Sequence, residues 1–150
     1  MGGVIASGDV HQAFMAGPPG AIELFHGYTY SAHPLACAAG IATLQLYKDE
    51  DLFARAARMA PVLERALHSL KGARHVIDVR NQGLVGAVEL TPRAGAPGAR
   101  AFETYLRCYE KGVLVRQTGD IVAVAPALIV EEKQIDEIVQ TLRDVLVALD

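Results

Sequence analysis

Residues 52–70 place Leu52, Phe53, Ala56, Met59, Ala60, Leu63, Ala66, Leu67 and Leu70 at spacings of three and four. These gather on one stripe of a helix, with arginines and Glu64 opposite. A helix with a single apolar stripe has to bury it against another layer. The stretches that follow supply one. HVIDVRNQGLVGAVEL (75–90) holds two β-rich runs joined around Asn81 and Gly83, a hairpin signature. TPRAGAPG is a loop, and ARAFETYLRCYEKG from 99 reads as a helix closed by Gly112. VLVR and IVAVAP read as strands around the turn QTGD. Glu131 and Glu132 open a last helix whose apolar stripe runs from Ile135 to Leu149. The order α, β, β, α, β, β, α describes an α+β layer, helices packed on a mainly antiparallel sheet. Pro61 is expected to kink the first of these helices, and Gly72 to end it.

The first third of the chain reads differently. GGVIAS looks like a short buried strand, after which Ser7 or Asp9 caps a brief helix carrying Val10, Phe14 and Met15. AGPPGAIEL is an irregular loop. Pro34 then opens a helix to about Lys48 that is apolar on nearly every side, the pattern of a helix buried all round. The polar break KDED (48–51) marks the expected boundary between residues 1–48 and a domain of 49–150.

Only a small net charge, −3, acts on partners, and the basic residues are scattered, so neither nucleic acid nor an anionic membrane surface is expected as a partner. No apolar run approaches the roughly 18 residues of a membrane span, and the N-terminus lacks a basic, cleavable leader. A cytoplasmic location is the default expectation. Cys37 and Cys108 stand far apart and outside any C-x-x-C pair, and read as buried free thiols.

Two places carry chemistry. In HGYTYSAHPLACAAG (26–40), hydroxyls and a glycine crowd the mouth of the Pro34 helix, where unpaired N–H groups and a partial positive charge attract anions. Thr29 can donate to a phosphate oxygen there; alternatively Thr29 and Ser31 merely cap the helix, the commoner arrangement. Tyr28 and Tyr30 line a pocket or pack at an interface. Arg116 ends the apolar strand VLV just before the turn, where its planar fork suits a carboxylate; the competing reading is an ion pair to Asp120 across the turn. His26, His33 and Cys37 match no common metal site, so no metal is expected. His11, His68 and His75 read as solvated, and no Ser-His-Asp or Cys-His arrangement is present.

Taken in order, MGGVIAS, HGYTYSAHPLACAAG, RNQGLVGAVEL and VLVRQTGDIVAVAPALIVEEKQID resemble the C-terminal part of class III aminotransferases. HGYTYSAHP and VRQTGD look closest to the ω-amino acid–pyruvate branch, also called β-alanine–pyruvate aminotransferases. The resemblance implies a fold-type I subunit using pyridoxal phosphate, with residues 1–48 closing the large cofactor-binding domain and 49–150 forming the small C-terminal domain. It implies that Thr29, with Tyr28 beside it, binds the phosphate of a cofactor held by the partner subunit of a homodimer. Arg116 would hold the carboxylate of a small amino acid or keto acid. It also implies that no catalytic residue lies in these 150 residues. The lysine that bonds to the cofactor and moves the substrate proton is expected upstream of the motif matching MGGVIAS, and Lys48, Lys71, Lys111 and Lys133 offer no substitute. The chain alone is therefore expected to be inactive. A non-catalytic interaction or dimerisation module is the alternative. The family commonly carries glycine where this sequence has Ala32.

Overall fold

The computed structural model describes residues 2–20, 27 and 29–150. The chain divides into two compact units, Met1–Asp49 and Glu50–Asp150.

The first unit contains α1 (Gly8–Met15) and α2 (Pro34–Asp49). Ser7 caps α1, its hydroxyl accepting the Val10 N–H at 3.4 Å. The apolar content of this unit leads to two corrections. GGVIAS forms no strand: residues 2–7 have no ladder partner, and Val4 and Ile5 are almost wholly exposed. A strand exists only by pairing, and no described residue of the unit offers an edge. Likewise α2 is helical as its composition requires, yet none of its residues is buried. Leu35, Ile41 and Leu44 point into solvent although the sequence suits a fully covered helix.

The second unit is built on a four-stranded antiparallel sheet in the order β1-β2-β4-β3, from β1 (Val76–Gln82), β2 (Val85–Leu90), β3 (Arg116–Thr118) and β4 (Ile121–Val124). Three helices, α3 (Leu52–His68), α4 (Ala99–Glu110) and α5 (Glu132–Val147), complete the expected order. Strand alternation divides the sheet into two faces. Val79, Val88, Leu90, Val122 and Val124 face a core with Leu63 and Leu67 of α3, Ala101 and Cys108 of α4, and Ile135, Leu142 and Leu146 of α5. Arg80, Ala87, Ala123 and Arg116 lie in register across the other face, and α3, α4 and α5 all pack on the core side.

Several local features depart from the sequence pattern. The helix α3, which carries Pro61 inside it, has its C-cap at Ser69 and ends before reaching Gly72. Residues 113–115 are not a strand: Val113 and Val115 are buried, but the ladder with β4 begins at Arg116, opposite Ala123. Arg116 therefore opens β3 instead of ending an apolar strand. Neither His68 nor His75 is solvated. His68 Nε2 meets Asn81 Oδ1 at 2.9 Å, and His75, in the left-handed region at φ 67°, has its Nε2 removed from water without a partner. Burial and the nearby Arg100 guanidinium both push the His75 imidazole below its ordinary range.

Arginines stitch the unit together through main-chain carbonyls. Arg55 donates to Ile129 O and Val130 O, each at 3.0 Å, holding the segment between β4 and α5 against α3. The C-terminal end of α5 receives Arg107 at Ala148 O (2.8 Å) and Arg74 at Val147 O (3.4 Å). Nearly buried Arg100 donates to Asp150 O and Thr91 O. Cations at a helix C-terminus satisfy orphan carbonyls and oppose the negative end of the helix dipole, each contributing about 0.3–1 kcal/mol.

Gly86 lies close against α3, because a Cβ built there would overlap Leu67 Cδ1. Leu67 is fully buried, so its side chain can yield only by repacking against the core around it. Gly86→Ala should therefore destabilise the second unit by about 1–3 kcal/mol, read by urea unfolding; an unchanged midpoint would contradict this packing. A second expectation concerns Cys108, fully buried, whose thiol burial pushes up to about 11 from an ordinary value of 9.0. A raised folded pKa means its contribution to stability is intact below 9.0 and is lost as pH rises from there towards 11. Half-buried Cys37 should accept a thiol reagent at pH 8 while folded Cys108 does not, as peptide mass mapping would show.

Candidate functional site

Thr29 lies in the first unit and Arg116 in the second, so each site is built within its own unit. Tyr28 and His26 fall outside the described residues.

Thr29 opens the turn of residues 29–32 that leads into α2. Two non-glycine residues of this turn are left-handed, Tyr30 at φ 70° and Ala32 at φ 56°. Left-handed residues in a short turn bring backbone N–H groups towards a common point, the geometry from which anion-binding concavities are made. For alanine such a conformation costs about 1–2 kcal/mol. That explains why glycine would suit position 32, and Ala32 retains the left-handed shape at this cost. The turn is closed by His33 N–H donating to Tyr30 O at 3.3 Å, and Cys37 N–H then donates to His33 O at 2.9 Å as α2 begins. Among the described residues neither Thr29 nor Ser31 makes a side-chain hydrogen bond, so neither is engaged as a cap of α2. The Thr29 hydroxyl is exposed and available.

Arg116 stands at the start of β3, on the sheet face opposite the core, with Ala123 as its cross-strand neighbour. Strand alternation puts it there: Val115 before it and Gln117 after it turn inward, Val115 being buried. Its side chain lines an open cleft of about 650 Å³ with Phe102, Tyr105, Leu114, Ala123 and Ala125. Tyr105 is stacked between Phe102 (centroids 6.1 Å apart) and Tyr109 (6.4 Å), which stiffens the aromatic wall on α4. The small side chains of Ala123 and Ala125 leave room beside the guanidinium. Among the described residues the Arg116 guanidinium has no hydrogen-bond or ion-pair partner. The competing ion pair to Asp120 is absent, because the Asp120 carboxylate points at α4 and accepts the Gly98 N–H at 2.7 Å.

The other arginines with carboxylate neighbours are committed. Arg80 is held by Asp78 (2.6 Å) and Glu89 (2.8 Å) on the open sheet face, and the Arg80 hydrogen bond keeps the Asp78 carboxyl below its ordinary range. Arg93 and Arg107 both hold Glu103 at 2.5 Å, and the Arg93 hydrogen bond is the main cause lowering that carboxyl. An unpaired guanidinium beside an aromatic wall can take a planar anion through two parallel N–H donors. Residues missed by the sequence reading are Phe102, Tyr105 and Leu114 of the wall. The i, i+3 spacing of Phe102 and Tyr105 on one helix face was the available signal.

Among the described residues no group of His, Cys, Asp and Glu could hold a metal ion, and no helix is long and apolar enough to cross a membrane.

Comparison with known proteins gives concordant results. Residues 1–146 match the family model described as aminotransferase class-III. The chain is 57% identical to an omega-aminotransferase of Caulobacter vibrioides, over 99% of this chain and 34% of that protein. It is 42% identical to a beta-alanine–pyruvate aminotransferase of Pseudomonas aeruginosa, over 97% of this chain and 33% of the relative. Among solved structures, the omega transaminase of Pseudomonas jessenii in complex with PMP superposes with a TM-score of 0.75 at 33% identity, covering 93% of this chain and 31% of that one. The chain thus spans about a third of the length of the curated relatives it matches. Its mixed helical and antiparallel architecture is that of the matching part of pyridoxal-phosphate-dependent transaminases. The chain belongs to the class III aminotransferases.

Proposed function

We propose that this chain is the C-terminal portion of an ω-amino acid–pyruvate aminotransferase that works as a homodimer. Residues 1–48 would close the large cofactor-binding domain, and 49–150 would form the small domain. The reading rests above all on Arg116, whose guanidinium has no partner among the described residues and stands on the sheet face opposite the core, beside an aromatic wall. Such a group binds a carboxylate, and a charge-assisted bond of this kind contributes about 1.5–3 kcal/mol. Pyruvate and small amino acids carry that carboxylate. Supporting the branch, the two relatives described above are named omega-aminotransferase and beta-alanine–pyruvate aminotransferase.

The residues present fit part of the family's cofactor, pyridoxal phosphate. Thr29 is exposed, its hydroxyl has no partner among the described residues, and it stands on a turn with two left-handed residues at the head of a helix, a donor set suited to a phosphate dianion. In this proposal Thr29, with Tyr28 beside it, holds the phosphate of the cofactor seated in the partner subunit. The cofactor, when bound, supplies the electron sink that stabilises charge on the substrate's amino-bearing carbon. Arg116 orients the substrate through its carboxylate, and the apolar wall of α4 excludes water from one side of that contact.

Proton transfer at the substrate carbon needs a basic amine in reach of it. Lys48, Lys71, Lys111 and Lys133 are all exposed, at or beside helix ends, and none lines the Arg116 cleft. The chain by itself is thus assigned binding groups and no proton carrier. Cys37 and Cys108 are free thiols, which agrees with a reducing compartment such as the cytoplasm.

A second reading, a non-catalytic interaction module, draws on the first unit, whose apolar residues Val4, Ile5, Leu35 and Ile41 are exposed. Apolar surface of that extent calls for a covering partner. Light scattering after size exclusion separates the possibilities: a stable monomer would count against the interaction role.

Purified alone with pyridoxal phosphate, an amine donor and pyruvate, the chain should form no alanine above the protein-free rate. Measurable transfer would refute the assignment of the proton-carrying lysine to another part of the enzyme. In the complete, cofactor-loaded enzyme, Arg116→Ala should raise KM for pyruvate by about tenfold to a hundredfold, the loss of one charge-assisted contact, while leaving KM for a carboxylate-free amine little changed. Equal changes for both substrates would argue against a carboxylate role. Thr29→Ala should weaken retention of pyridoxal phosphate by about tenfold in equilibrium dialysis.

A further inference from the structure

The freedom of Arg116 depends on where the Asp120 carboxylate goes. Gly119 and Asp120 form the two-residue turn between β3 and β4, so Asp120 sits four positions beyond Arg116 in the same hairpin. A carboxylate at that separation is an obvious partner for the guanidinium. Instead its Oδ1 accepts the half-buried Gly98 N–H at 2.7 Å, at the N-terminal end of α4 where partial positive charge favours an anion.

The contact is built from both sides. Gly98 has φ 79°, a conformation that side-chain-bearing residues rarely adopt, and a Cβ there would come to 3.3 Å from Gly119 O. The turn therefore lies directly on the start of α4. Gln117 Nε2 donates to Gly119 O at 2.6 Å, and Leu90 N–H donates to Asp120 O at 2.9 Å, tying the turn to the end of β2 as well. One wall of the Arg116 cleft is β3, and the other is Phe102 and Tyr105 of α4, one and two helical turns past Gly98. The Asp120–Gly98 bond joins the two walls at their common end.

We infer that Asp120 is a positioning residue for Arg116: its bond to the Gly98 N–H seats the Arg116-bearing hairpin on α4 and keeps its own carboxylate away from the guanidinium, so that the guanidinium stays open to a substrate carboxylate. This rests on the carboxylate-binding reading of Arg116. It predicts a substrate-selective defect. Without the latch the hairpin tip is released from α4 and the spacing between guanidinium and aromatic wall is no longer set. Acceptors bound through a carboxylate suffer, whereas amines bound without one do not.

The test compares Asp120→Ala, Asp120→Asn and Arg116→Ala in the complete, cofactor-loaded enzyme, with KM and kcat measured for pyruvate and for a carboxylate-free amine. Asp120→Ala should raise KM for pyruvate by about tenfold, the scale of one hydrogen bond to a charged group, and leave KM for the amine within about twofold. Asp120→Asn retains the Oδ1 acceptor and should stay close to the parent enzyme. Equal losses with both substrates, or none in Asp120→Ala while Arg116→Ala raises KM for pyruvate, would overturn the inference and leave the Arg116 reading standing. If Arg116→Ala itself spares pyruvate, the Arg116 reading fails and the positioning role fails with it. The latch is read separately from amide exchange in the 150-residue chain. The Gly98 amide should exchange at least about tenfold faster in Asp120→Ala and near the parent rate in Asp120→Asn; unchanged protection in Asp120→Ala would show that the bond holds nothing in place.

Discussion

Alternation along β3 and β4 is the constraint from which the rest of the second unit follows. Because successive side chains of a strand point to opposite faces, burying Val122 and Val124 against α4 and α5 turns Ala123 outward, and with it its partner Arg116. Core and site are thus two sides of one pattern. A slip of one residue in that pairing would drive the guanidinium into the core and valines into solvent, so the depth of the core secures the position of the charge. The helices matter in the same way: α3, α4 and α5 pack on the core side, and Phe102 and Tyr105 of α4 reach the β3 edge, where Arg116 lines the cleft.

The first unit lacks such closure. Its helices bury nothing, although α2 is rich in alanine, leucine and isoleucine. A sequence of this kind belongs in contact with other protein, and the family relationship gives the reason. The relatives are about three times as long as this chain, and their remaining length is the natural source of neighbours for GGVIAS and α2. The turn at residues 29–32 holds its left-handed shape through local geometry, with the cost at Ala32 borne by the chain.

The order of elements in the second unit was legible because each announces itself locally: the three-and-four spacing of α3, the hairpin residues of β1 and β2, the glutamates opening α5. What escaped was non-local. VLV reads as a strand from composition, but Val113 and Val115 are buried without ladder partners, the pairing with β4 beginning only at Arg116 opposite Ala123. His75 reads as solvated from its neighbours, while in the fold its Nε2 is removed from water and it feels the charge of Arg100, 25 residues along the chain. Asp120 looks like a partner for Arg116 until α4 arrives 22 residues away in sequence and offers the Gly98 N–H. Burial of GGVIAS and α2 was read from apolarity alone, which reports what a segment requires and not what its own unit supplies. For Thr29 and Arg116, residue chemistry drew attention to the positions, and family resemblance supplied their expected roles.

The central claim is that the hydroxyl of Thr29 serves a phosphate carried by another polypeptide. Its most direct test is a crystal structure of the complete enzyme loaded with pyridoxal phosphate, measuring the separation between Thr29 Oγ1 and the nearest phosphate oxygen. The account predicts about 2.5–3.0 Å to the phosphate bound in the opposite subunit. A Thr29 hydroxyl enclosed within its own subunit, away from any subunit boundary and with the phosphate held entirely by other groups, would contradict it.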